Sequence, residues 1–346
     1  MFDIDAMCIW FHVQEVYMKL WKRGVVFLLA CALLPAGVFA QAKTFRLKLA
    51  HVAPEAEPYA IAAQKFAELV KAATNGNVTI DLFPNSVLGS SRELIEGLQI
   101  GTVDATLSTA AVLGNFIPQS QVIELPFMFK SREHVYEVVD GPLAKDIYKG
   151  DEAKGLKVIS TWENGFRQVT NSVRPIVTPA DMKGIKIRVM ESQMYIDLFK
   201  ALGANPTPMA RGEVFTALQQ KTVDAQDNPM GQIYTSRFYE VQKYVSLTGH
   251  SYSPEVLIFS LDTWKKLPRE YQAAIEKAAV EARDFNRKLS AEKDAEYVKL
   301  VKEKGMQVTA LTPTQIAAFS KLMGPVWEKY YTIIGKDLID KVSNAK

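Results

Sequence analysis

The chain has 346 residues, 48 % of them hydrophobic, with 41 lysines and arginines against 38 acids, a formal charge of +3. That length exceeds the usual size of one compact domain and points to two lobes. Acids and bases are interspersed, with no basic stripe interleaved with aromatics, so a nucleic-acid partner is not expected.

The chain opens on an export signal. Lys19, Lys22 and Arg23 precede an uncharged apolar run over 24–34, and small residues at Val38, Ala40 and Ala42 suit a cleavage site. The run is too short for a membrane span. Residues 1–42 are therefore set aside as an upstream extension and signal peptide, with Met18 as the start and cleavage near Ala40 or Ala42. Leu28-Leu29-Ala30-Cys31 loosely matches a lipoprotein box, but the chain stays apolar past Cys31, as a signal core does. Cys8 and Cys31 are the only cysteines, so the exported chain is expected to have neither disulfide nor thiol chemistry.

Beyond residue 42, strand and helix patterns alternate. Residues 45–51 (FRLKLAH) alternate as a strand, 59–73 carry apolar residues at helical spacing, and 78–83 (VTIDLF) form a second strand. A helix over 92–100 closes at Gly101, and 105–108 form a third strand. The pattern then repeats, with strands at 156–162, 184–189 and 223–225 and helices at 192–202 and 213–220. Two such sets indicate two α/β lobes with parallel strands. Residues 273–304 hold no Gly or Pro. At about 1.5 Å per residue that helix outreaches one small domain, so it is expected to be shared by both lobes.

Catalytic signatures are absent: there is no GxSxG, HExxH, Walker loop or GxGxxG. Ser290-Ala-Glu-Lys293 matches SxxK but lies in the long charged helix, where chance explains it; the sequon at Asn77 carries no weight either. His51, His134 and His250 are too scattered for zinc, and no metal or other cofactor is expected. One constellation remains. Arg167 follows WENGF, Arg188 ends the strand IKIR, and Asn228 lies in DAQDNP where a strand meets a turn. Strand ends are where open α/β sheets bind ligands, and an arginine presents two parallel donors to a carboxylate. The alternative for each arginine is an internal salt bridge or an exposed edge.

The segments 162–190 (WENGFRQVTNSVRPIVTPADMKGIKIRVM), 202–209 (LGANPTPM), 213–218 (EVFTAL) and 238–244 (FYEVQKY), with Leu88-Gly89, Arg92-Glu93 and Gly101-Thr102-Val-Asp104, resemble the substrate-binding subunit of TRAP transporters, the DctP family. The resemblance covers nearly all of residues 43–346. It implies a periplasmic protein of two α/β lobes that closes a cleft on an organic acid and delivers it to one small and one large membrane subunit. By position, Arg188 corresponds to the family arginine that pairs the substrate carboxylate, Arg167 to a second arginine beside it, and Asn228 to the asparagine that hydrogen-bonds the ligand. Two departures stand out. The common VDGQENP reads VDAQDNP here, with Ala225 and Asp227, and Arg211 stands where an aromatic residue is usual. A third cleft arginine would favour a more anionic or hydroxyl-rich ligand; otherwise Arg211 snorkels to the rim.

The opposite wall is expected from the loop 51–58, where His51 and Glu55 or Glu57 are candidates, and from Thr109 at the end of the third strand. The competing reading is of solvated loop carboxylates, and Trp162 and Phe166 read as core. Lobe I is drawn as 43–164 plus 253–292, and lobe II as 165–252 plus 293–346. The style of ENGFR, TNS and GANPTPM resembles members that take sugar acids such as glucuronate or galacturonate; C4-dicarboxylates and 2-oxo acids are the alternative. A cleft enzyme or a partner of a sensor is a weaker reading, and the protein is expected to act as a monomer.

Overall fold

The computed structural model describes residues 43–345, together with Glu15 and Met18. The signal-peptide reading, Cys8 and Cys31 lie outside the described residues.

Two sheets organise the chain from Thr44 onward. The first has five strands in the order β2-β1-β3-β10-β4: β1 (Phe45–Ala50), β2 (Val78–Phe83), β3 (Ala105–Thr109), β4 (Leu156–Phe166) and β10 (Tyr252–Ser260). β1 runs parallel to β2 and β3, while β10 is antiparallel to β3 and β4. The second has six, in the order β11-β9-β5-β8-β6-β7: β5 (Gln168–Asn171), β6 (Lys186–Val189), β7 (Asn205–Pro208), β8 (Ala225–Asn228), β9 (Tyr244–Leu247) and β11 (Gln307–Ala310).

Side chains along β10 point alternately to the two faces of the sheet, as a two-residue period requires. Val256 and Ile258 join a cluster with Val112 and Ile123, while Leu257 and Phe259 join one with Phe66 and Ile275. Helices cover both faces, so β10 is buried throughout.

The chain crosses between the sheets where β4 passes into β5, and again where β9 passes into β10. The two crossings lie side by side: the Arg167 amide donates to the Ser251 carbonyl at 2.8 Å. Gly165, at φ +126°, sits on the first of them in a conformation that side chains rarely adopt. The helix Arg269–Glu303 spans both lobes. Ile275, Ala279 and Ala282 pack against the helix Pro58–Ala73 and β4, and Tyr297 and Val301 pack with Met230 and Ile233 of the second lobe. The C-terminal helices touch both sides. Trp327 Nε1 donates to the Pro126 carbonyl, and Lys329 Nζ pairs with Asp197 at 2.5 Å.

Candidate functional site

Two of the buried charges at the centre of the molecule, Arg188 and Asp227, are carried by short strands of the second sheet. Arg188 lies in β6, whose neighbours β7 and β8 flank it in register with Thr207 and Gln226. It is 3 % exposed. Its Nε and Nη2 both donate to the Met209 carbonyl, at 3.0 and 2.7 Å, and no carboxylate among the described residues pairs with it. Burial lowers its pKa to about 9; Asp227 pulls it back up, and Arg167 and Arg211 push it further down. Arginine holds its proton under such stress, so the site stores an uncompensated positive charge.

Arg167 is different. It sits on the crossing, fully buried, and its Nε pairs with Asp227 at 2.6 Å. Its remaining donors reach the Asp227 carbonyl, Asn228 Oδ1 and Ser253 Oγ. Burial works against its charge, and the Asp227 carboxylate more than restores it. Asp227 in turn is held well below the usual carboxylate range: burial opposes its ionisation, and Arg167 and His250 overcome that. Arg167 is thus the salt-bridged arginine that the sequence left as an alternative, although it still lines the cleft. Asn228 Nδ2 donates to Gln226 Oε1 at 2.5 Å.

Arg188, Arg167, Arg211, Asn228 and Thr109 converge on one cleft between the sheets. Thr109 caps the short helix Ala110–Leu113 and points its hydroxyl at Met190 Sδ, 3.7 Å away. Arg211 is not at the rim but 11 % exposed at the side chain, donating to Ser236 Oγ at 2.7 Å and Tyr59 OH at 3.5 Å, with Glu57 at 3.8 Å. Glu57 and His51 stand behind it, outside the cleft lining. Glu57 also accepts from the Thr235 hydroxyl, so Glu57 and Tyr59 of the first lobe meet Arg211 and Thr235 of the second. His51 packs edge-on to Tyr59, and burial, reinforced by Arg211, lowers its pKa to about 4, leaving it neutral at physiological pH.

Sequence reasoning missed Glu255 and Glu191, which also line the cleft. Glu255 is a charge within an otherwise apolar strand, the same signal that singled out Arg188. It missed as well a buried tie between the lobes, in which Tyr195 donates to Glu124 at 2.6 Å. The cleft lined by the arginines is small, about 30 Å³. Larger cavities of about 430 and 580 Å³ lie elsewhere and contain none of these arginines.

Two α/β lobes, joined by two strand crossings and the long helix, with a cationic cleft between the sheets, define a solute-binding protein of the two-lobed class. Residues 49–333 match the family described as bacterial extracellular solute-binding protein, family 7 (DctP), and the chain belongs to that family. Its members bind substrates and are not enzymes. Among its relatives, the 2,3-diketo-L-gulonate-binding periplasmic protein YiaO of Escherichia coli is 38 % identical over 87 % of this chain and 92 % of its own length. A TRAP periplasmic solute-binding protein from a Polaromonas species, bound to D-erythronate, superposes with a TM-score of 0.84 at 38 % identity, covering 88 % of this chain and 99 % of that one. One from Sulfurospirillum deleyianum, with bound succinate, gives 0.84 at 33 % identity over 88 % and 100 %. The chain is thus a periplasmic solute-binding protein of the TRAP type, a class that takes small organic acids and works with membrane subunits.

Proposed function

We propose that this protein captures a hydroxyl-bearing monocarboxylate, a sugar acid of the uronate kind, and hands it as a monomer to the small and large subunits of its transporter. The observation that carries the reading is Arg188, a buried guanidinium with no ion-pair partner among the described residues and two donors parked on a carbonyl. A ligand carboxylate takes over those donors as a charge-assisted fork. Asn228, Thr109 and the lobe-one wall then complete the shell.

The other two arginines argue for one carboxylate rather than two. Arg167 is neutralised by Asp227, and Arg211 is held by Ser236, Tyr59 and Glu57. A C4-diacid reading requires Arg211 to leave Glu57, whose 3.8 Å separation is loose enough to keep that alternative in the test. The sugar-acid ligands named for two similar proteins support the first reading, and the succinate of the third the second.

A thermal-shift screen of residues 43–346 against hexuronates, aldonates, C4-diacids and 2-oxo acids tests this. Ligand at about 100 times its dissociation constant adds roughly 2.7 kcal/mol, a rise of several degrees. The reading predicts that rise with hydroxy monoacids. A rise with diacids alone contradicts it.

A further inference from the structure

We propose that Gln232 selects for hydroxyls in the cleft: its carboxamide, which makes no hydrogen bond among the described residues, pairs with hydroxyls of the bound acid. The proposal rests on the reading that Arg188 holds the ligand's carboxylate.

Position comes from a short helix. Gln232 lies on the helix Met230–Thr235, which follows Asn228 and Pro229 at the end of β8. One face of that helix is turned to the first lobe. A Cβ at Gly231 would stand 3.0 Å from Glu57 Oε1, and one turn on, the Thr235 hydroxyl donates to Glu57 Oε2. The adjoining face carries Gln232 and, one turn on, Ser236, which accepts from Arg211 at 2.7 Å. Gln232 and Arg211 both line the cleft. The contact with Glu57 thus holds Gln232 at the cleft wall, on the side of Arg211.

The other buried polar side chains of the lining are engaged. Arg188 donates to the Met209 carbonyl, Arg167 to Asp227, and Asn228 to Gln226. Thr109 caps its helix, and Glu255 Oε1 accepts from Asn164. Gln232 is 3 % exposed, yet its carboxamide has no hydrogen-bond partner among the described residues. A buried polar group in that state costs free energy until a partner arrives. A carboxamide offers two donors and an acceptor and carries no charge. A vicinal diol matches it: one hydroxyl donates to Oε1 while its neighbour accepts from Nε2. A carboxylate accepts from Nε2 and leaves Oε1 unpaired. A site built around hydroxyl bonds discriminates strongly against analogues lacking them, because its own polar group is then left without a partner.

The test is calorimetric titration of wild type, Gln232→Met and Gln232→Asn, with thermal denaturation of the ligand-free proteins to confirm folding. The ligands are D-erythronate, galactonate and galacturonate, with succinate and butyrate as acids without hydroxyls. Met keeps the length of the side chain and removes its polarity, and Asn keeps the amide but withdraws it by a methylene. In both variants the tightest hydroxy acid of wild type should bind at least about fivefold more weakly, while acids without hydroxyls change less than threefold. A smaller loss in Gln232→Met overturns the proposal. So does an equal loss for succinate or butyrate, which would report a structural role. A wild type that binds none of the hydroxy acids overturns it together with the underlying reading. Arg188→Met reports on that reading separately: unchanged binding there means that the carboxylate is misplaced, whatever the ratio at position 232.

Discussion

Buried carboxylates in this protein respond to pH in opposite ways. Asp227 is held ionised by Arg167 and His250. Glu124 accepts from Tyr195 and from the Ala111 amide, yet burial raises its pKa to about 7, with Arg167 and Tyr195 opposing. A folded-state pKa above the unfolded one means that the folded protein keeps a proton the unfolded chain releases. That stability is complete below about pH 4.5 and is lost as the pH climbs through 7. Glu124→Gln removes the dependence. Its stability relative to wild type should improve by up to roughly 3 kcal/mol between pH 4.5 and 8. Urea midpoints at the two pH values check this, and an equal difference at both contradicts it.

His51 works the other way. Its pKa of about 4 lies below the ordinary 6.5, so the unfolded state binds the extra proton and stability falls as the pH drops from 6.5 to 4. An imidazole titration midpoint near 4 by NMR is the expected result; one near 6.5 would mean that His51 is not buried as described. At this scale, the convergence of Arg188, Asn228 and Thr109 on one cleft could be expected from the sequence, because polar residues at or near the end of a short strand need a partner. Glu124 and Asp227 were not, since their partners are 71 and 60 positions away in the chain.

Strong local patterns predict elements well. The helix Ser91–Ile100 begins with Ser90 accepting from the Glu93 amide and Glu93 accepting from the Ser90 amide, a reciprocal cap that satisfies two free donors. Ser90→Ala should cost about 1 kcal/mol by chemical denaturation and leave ligand affinity unchanged. A loss of affinity would show that this helix, which supplies Ser91 to the cleft, is itself part of closure. The long helix was legible for the same reason: an unbroken run of helix formers from Arg269. β7 was not, because Asn-Pro-Thr-Pro does not read as a strand; it forms at the edge of its sheet, where a proline's missing N–H is tolerated. β5 and β9 are four residues each and take their pairing from partners far off in the chain. The strand expected at 223–225 lies instead at Ala225–Asn228, which carries Asp227 and Asn228 to the crossing.

Across the molecule, closure is a population shift biased by contacts between the lobes that strengthen the closed state. Glu57 with Arg211 and Thr235, and Asn115 Nδ2 on the Glu191 carbonyl at 2.8 Å, run between the lobes across the cleft. Apparent affinity scales with the closed fraction. Glu57→Gln should therefore speed ligand dissociation several-fold while leaving the ranking of ligands unchanged, as stopped-flow competition would show. A changed ranking would place Glu57 against the ligand itself.

The central claim is that Arg188 holds the carboxylate, and titration calorimetry of Arg188→Lys against the tightest ligand of wild type tests it most directly. An ammonium reaches one oxygen where the guanidinium reaches two. Losing one charge-assisted bond of about 1.5–3 kcal/mol predicts affinity weakened by at least about tenfold, with the thermal midpoint of the ligand-free protein unchanged. Binding within threefold of wild type would contradict the account and move the carboxylate to another arginine.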